Sequence, residues 1–167
     1  MKKALLILSL TYLVSVQAQD THEPDSTTVS TIDGTVNEVL NIISGEPDKV
    51  RNLEQFRMLF RHDATFRALT HAPDGNRSLR TFNLEEFARI VRNFYDGSSF
   101  LEYELKKTVN EYNGIAQVFQ GYQVESPRGK EKGVNSYQLY FDGTRWWITS
   151  ILWVSDRNGV ELPEEYR

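Results

Sequence analysis

Gly143-Thr144-Arg145-Trp146-Trp147-Ile148-Thr149-Ser150-Ile151-Leu152-Trp153 reads as a turn followed by a strand that is apolar on both faces. Side chains alternate along a strand. That rule places Trp146, Ile148 and Leu152 on one side and Trp147, Ile151 and Trp153 on the other. A strand that is dry on both sides needs two covers. In a small antiparallel sheet, helices supply one and a second subunit supplies the other. The stretch therefore predicts a layered α+β domain and a homodimer.

Working outward from it, the second half of the chain is written as strands. Residues 100–111, 115–125, 134–141 and 146–154 form four of them, joined by Asn113-Gly114, a polar loop at residues 127–133, and Asp142-Gly143. Asn-Gly and Asp-Gly between apolar runs are strong hairpin signals. The first half is written as helices. Ile32, Val36, Val39, Leu40 and Ile43 recur at helical spacing until Ser44-Gly45-Glu46-Pro47 stops them. Pro47 suits the first turn of a second helix, whose inner stripe is Val50, Leu53, Phe56, Leu59 and Phe60. A short strand at residues 64–69 and a turn around Asp74-Gly75 follow. Asn83 and Glu86 form a capping signature for a third helix, with Leu84, Phe87, Ile90, Val91 and Phe94 on its apolar face. Three helices beside a mostly antiparallel sheet make an α+β domain.

The ends of the chain read differently. Lys2-Lys3, an apolar run over residues 4–14 and Val16-Gln17-Ala18 have the order of a secretory signal, with cleavage expected after Ala18. The run is shorter than the ~20 residues of a membrane span. Residues 19–30 read as a flexible lead-in, residues 31–157 as the domain and residues 158–167 as a polar tail. The protein is thus expected to be exported, periplasmic or secreted. Its 167 residues contain no cysteine, which excludes disulfides, thiol catalysis and thiolate metal sites. Net charge is −4 with no long basic block, so nucleic acid is not an expected partner.

Phe60-Arg61-His62-Asp63-Ala64-Thr65-Phe66, the strand around Ile115-Ala116-Gln117-Val118-Phe119, and the final hairpin from Asn135 to Leu152 together resemble the nuclear transport factor 2-like superfamily. Its members are also called SnoaL-like or cystatin-like α+β cones. The resemblance covers almost all of the chain after the lead-in. It implies three N-terminal helices packed on a curved, mostly antiparallel sheet that forms a cone around a pocket. It also implies a dimer through the outer face of the sheet. The superfamily's steroid isomerases place a catalytic aspartate where this chain has Ala68, and a tyrosine on the first helix where residues 32–43 have none. The dehydratases use histidines and tyrosines around the cavity. Here only His62 and His71 follow the lead-in, and they read as a helix–strand junction and a surface loop.

The sequence therefore predicts no catalytic residue, no metal and no cofactor. It predicts an exported, dimeric domain that binds a small apolar ligand or serves as an accessory. A lyase or isomerase is the alternative, with His71 or Glu104 as the base. The expected pocket residues are Arg67, Tyr95, Glu104, Gln117, Tyr137 and Trp147, with Gln138 as a further polar group. Glu102, Glu104 and Lys106 read as a solvated cross-strand ladder.

Overall fold

The computed structural model describes residues 25–72 and 74–167, so the signal segment and residues 19–24 of the lead-in lie outside the described residues. Two turns organise the sheet. Asn113 (φ 49°) and Gly114 (φ 83°) are both left-handed, as a type I′ turn requires, and join β3 (Leu101–Tyr112) to β4 (Ile115–Ser126). In the other, Asp142 Oδ1 accepts from the amides of Thr144 (2.8 Å) and Arg145 (2.9 Å), and the loop joins β5 (Gly129–Phe141) to β6 (Trp146–Ser155). β6 pairs in parallel with β1 (Phe60–His71), which pairs antiparallel with β2 (Arg77–Asn83). The order is β2-β1-β6-β5-β4-β3, a curved, unclosed and mixed sheet.

The described residues form four α-helices: α1 (Ser26–Val29), α2 (Ile32–Ile43), α3 (Leu53–Arg57) and α4 (Leu84–Phe94). The capping box at the start of α4 is formed, with Asn83 Oδ1 accepting from Glu86 N and Glu86 Oε2 from Asn83 N, both at 2.9 Å. Val36, Val39, Leu40 and Ile43 of α2 and Leu84, Phe87 and Val91 of α4 are buried in one core with the concave face of the sheet. At its centre Phe66 stacks on Phe87 with ring centroids 4.5 Å apart, flanked by Phe56 and Phe60.

Several expectations are corrected. The helix after Pro47 is only Leu53–Arg57, and Val50 is 86% exposed, because the chain from Phe60 is already strand β1. Strand β2 was not foreseen. It is an edge strand, almost wholly exposed, so it lacks the apolar alternation that would reveal it. The loop expected at residues 127–133 is a tight turn, and β5 starts at Gly129. The lead-in and the tail are not merely polar flanks. Val29 of α1 is buried, as is Leu162. Tyr166 packs edge-on against Phe119 on the convex face, and a Cβ on Gly121 would collide with the Tyr166 backbone.

Strand β6 departs from the strict alternation expected of residues 146–153. Ser150 pairs with Gln138, yet Ile148 pairs with the next residue, Leu139, so Thr149 is an extra residue in β6. The bulge reverses the phase of alternation. Trp146, Ile148, Ile151 and Trp153 all serve the core, while Leu152 is 43% exposed on the convex side. The strand is dry on one face, not two.

Phe66 is fully buried within the ring cluster. Phe66→Ala is expected to lower stability by about 3–5 kcal/mol, the range for emptying such a site, read as a drop in urea midpoint at unchanged m-value.

Candidate functional site

The end of α2 is fixed onto the first residues of β3. The Ser44 hydroxyl accepts from Glu102 N (2.9 Å) and donates to Glu102 O (3.2 Å). Buried Arg51 ties the same region together by donating to the carbonyls of Ile43 (2.8 Å), Gly45 (3.0 Å) and Ser98 (3.2 Å). These bonds hold Glu102 on the concave face, directly opposite Val124 of β4.

From Glu102 a line of polar side chains runs across the interior of the cone. Asn135 Nδ2 donates to Glu102 Oε1 (2.9 Å) and approaches Gln120 Oε1 (3.3 Å), which also accepts from the Tyr137 hydroxyl (3.3 Å). Gln120 Nε2 donates to Glu104 Oε2 (2.7 Å), and Lys107 Nζ donates to Glu104 Oε1 (2.7 Å). Lys107 also stands 3.4 Å from Asp33 of α2. Gln120, Asn135 and Tyr137 are buried, so each needs these partners.

Beside this line lies a chamber of about 90 Å³, walled by Tyr95, Glu102, Tyr122, Glu131, Tyr137 and Trp153 among others. Gly133 makes room for the Tyr122 ring, since a Cβ there would strike it. A wider vestibule of about 420 Å³ adjoins the chamber, sharing Tyr95, Phe100, Val124 and Glu131 and adding Ser98, Ser126, Arg128 and Arg157. Burial raises the Glu102 carboxyl to about 7, the Asn135 amide opposes that rise, and Glu131 adds to it by like-charge repulsion. Burial, with Glu102 nearby, also pushes the Tyr95, Tyr122 and Tyr137 hydroxyls above the usual tyrosine range.

The structure brings only some of the expected residues together. Tyr95 and Tyr137 line the chamber, Tyr95 being stacked on Phe100 at 3.9 Å. Glu104 is on the concave face but engaged by Lys107 and Gln120. Arg67 pairs in register with Leu152 and faces the convex side. Gln117 and Gln138, paired with each other, are exposed in a convex-side groove of about 520 Å³. That groove is larger than the chamber, but its only buried liners are apolar Ala116 and Leu139. Trp147 lies at the β5–β6 loop, donating to Asp142 Oδ2 (2.6 Å) beneath Arg145. Tyr103 and Phe119 are outside the cone. His62 is exposed, and His71 pairs with Arg77 at the far end of β1.

Glu102, Gln120 and Asn135 were missed as site residues. Gln120 had a signal: it shares the inward phase of Ala116, Val118, Tyr122 and Val124, so alternation makes it a buried amide. Glu102 had none, because the ladder reading paired the strand's glutamates with Lys106. Leu105 is an extra residue in β3, and this bulge turns Lys106 outward and brings Lys107 inward to Glu104. Glu102 is left without a cation among the described residues. Among the described residues no group of three or more His, Cys, Asp or Glu could hold a metal ion, and no helix is long and apolar enough to cross a membrane.

No protein-family model and no curated relative matches the sequence. Solved structures do match the fold. An NTF2-like protein of unknown function from Pseudomonas aeruginosa has a TM-score of 0.55 at 10% identity, over 72% of this chain and 91% of that one. A cystatin-like-fold protein of unknown function from Nostoc punctiforme has a TM-score of 0.54 at 12% identity, over 77% and 95%. A chain from Novosphingobium aromaticivorans, assigned as the β subunit of an aromatic-ring-hydroxylating dioxygenase, has a TM-score of 0.57 at 14% identity, over 79% and 90%. The chain has the nuclear transport factor 2-like, cystatin-like cone fold.

A carboxyl that is harder to ionise in the folded state destabilises the fold as it loses its proton. For Glu102 the cost is absent below about pH 4.5 and grows to about 3 kcal/mol above pH 7. Glu102→Gln is therefore expected to be more stable than the unsubstituted protein at pH 8 and equal to it near pH 4.5, in parallel urea unfolding curves.

Proposed function

We propose that this chain is an exported small-ligand-binding domain whose ligand occupies the cone chamber. The observation that carries the reading is the Glu102–Asn135–Gln120–Tyr137 line, of which Glu102, Asn135 and Tyr137 stand on the wall of that chamber. Polar side chains are costly inside a core unless each is paired. A core that served stability alone would hold apolar residues here. At about 90 Å³ the chamber suits a head group of a few heavy atoms, well below the roughly 300 Å³ at which drug-sized pockets begin. The larger vestibule suits the remainder of such a molecule.

The homodimer through the outer sheet face belongs to the same proposal. Ile115 (64% exposed), Leu152 and Phe119 support it, although the C-terminal segment already occupies the neighbourhood of Gly121. The signal-like order of residues 1–18 supports export.

The lyase or isomerase reading is favoured by one observation, the Glu102 carboxyl held near 7 beside three tyrosines. A group with that proton affinity can act as acid and base at neutral pH. The candidates named from sequence do not share this position, Glu104 being engaged by Lys107 and His71 lying at the far end of β1. Turnover of any chamber ligand, with a rate that follows Glu102 ionisation, would establish it.

Protein recovered from the periplasm should begin at Gln19, sediment as a dimer and bind fragments of five to ten heavy atoms that perturb the Trp153 indole resonance. Val39→Phe, which projects a ring into the chamber, and the milder Val39→Ile should weaken that binding in order of size. Fragments that bind only at the convex groove, or none that bind at all, would overturn the chamber reading.

A further inference from the structure

The chamber walls carry negative charge and no positive charge. Glu102 and Glu131 line it, and no lysine, arginine or histidine does. Each neighbouring carboxylate has a cation: Glu131 is paired with Arg157, and Glu104 with Lys107 at 2.7 Å. Glu102 forms no ion pair among the described residues. Its Oε1 accepts from the neutral Asn135 amide, and no donor among the described residues reaches its second oxygen.

Rings make up most of the remaining wall, with Val39, Ile43, Val124, Ile151 and Asn135 filling the rest. Phe87, Tyr95, Phe100, Tyr122, Tyr137 and Trp153 surround the space. The face of an aromatic ring is electronegative, and a set of such faces attracts an organic cation, most strongly when water is excluded. Aromatic walls with an unanswered carboxylate form a surface complementary to an ammonium group. An anionic or neutral head would leave Glu102 as it stands. A metal ion would find one free carboxylate and aromatic carbon.

Resting on the reading of the chamber as a ligand site, we propose that its ligand enters with a small organic ammonium head, primary or methylated, which faces Glu102 and is enclosed by the aromatic walls. The cationic end must be the inner end. Outside the chamber a ligand meets Arg128, which lies over the Phe94 ring at 5.6 Å, and Arg157, so its outer end is neutral or anionic.

Binding of such a head requires ionised Glu102, and protons compete with the ligand. The groups that face Glu102 are Ser44 at the end of α2, Tyr95 after α4, Tyr122 on β4, and Glu131, Asn135 and Tyr137 on β5. The tyrosines stay neutral through pH 8, so Glu102 dominates the dependence from pH 6 to 8. With its carboxyl near 7, the ionised fraction rises about tenfold over that interval.

The test is calorimetric titration of the purified protein with choline chloride and with 3,3-dimethylbutan-1-ol, its uncharged carbon isostere. Choline should bind, the isostere should bind at least about tenfold more weakly, and choline affinity should rise about tenfold from pH 6 to pH 8. Glu102→Gln should abolish the pH dependence and reduce choline to the level of the isostere, while Asp63→Asn, an exposed carboxylate on β1, should change neither. An isostere that binds as well as choline would overturn the ammonium assignment. So would choline that fails to bind while the neutral fragments of the preceding section still perturb Trp153, which leaves the chamber reading standing. Failure of every compound overturns both.

Discussion

The hydrogen bond from Asn135 to Glu102 is the contact on which the interior of this cone depends. A carboxylate removed from water is costly, and one neutral amide offsets only part of that cost. The amide must itself be held, and Gln120 shares that task with Tyr137. Gln120 in turn donates to Glu104, which Lys107 neutralises. The line thus begins at an uncompensated charge and ends at a compensated one. Remove Asn135 and the partners on both sides are left short.

The backbone places these groups through two interruptions of strand alternation. The extra Leu105 in β3 brings Lys107 inward beside Glu104 and leaves Glu102 unmatched. The extra Thr149 in β6 turns Ile151 and Trp153 to the same side as Trp146 and Ile148, which supplies the chamber with an indole wall. Bulges bend a strand as well as shifting its phase, so the same two residues serve the curvature of the sheet and the aim of its side chains. The clamp of Ser44 on Glu102 and the staple of Arg51 across Ile43, Gly45 and Ser98 then close the helical side.

This explains which parts of the molecule were legible in the sequence. Asn113-Gly114, Asp142-Gly143 and the Asn83–Glu86 capping box depend on local chemistry, and the structure contains all three as read. The helical face of α2 follows from spacing alone. Tyr95 and Tyr137 line the chamber, Tyr95 just after Phe94 at the end of the α4 face and Tyr137 in the same strand phase as Leu139. Gln117 lies in the opposite phase of β4 to Gln120, so the alternation that marks Gln120 as inward marks Gln117 as outward, and Arg67 lies in the opposite phase of β1 to buried Phe66. Glu102 was hidden by a bulge, and no residue type marks a bulge at Leu105. Strand β2 was hidden because an exposed edge strand has little apolar pattern to display.

Glu102 stands in the cone as a carboxyl without a cationic partner among the described residues. The most direct measurement is a carbon-13 NMR titration of the glutamate side-chain carboxyls, with the Glu102 resonance assigned by its loss in Glu102→Gln. The account predicts a midpoint near 7, well above the ordinary glutamate value of 4.5. A midpoint at or below 4.5 would mean that Glu102 is solvated or paired, and would contradict the account.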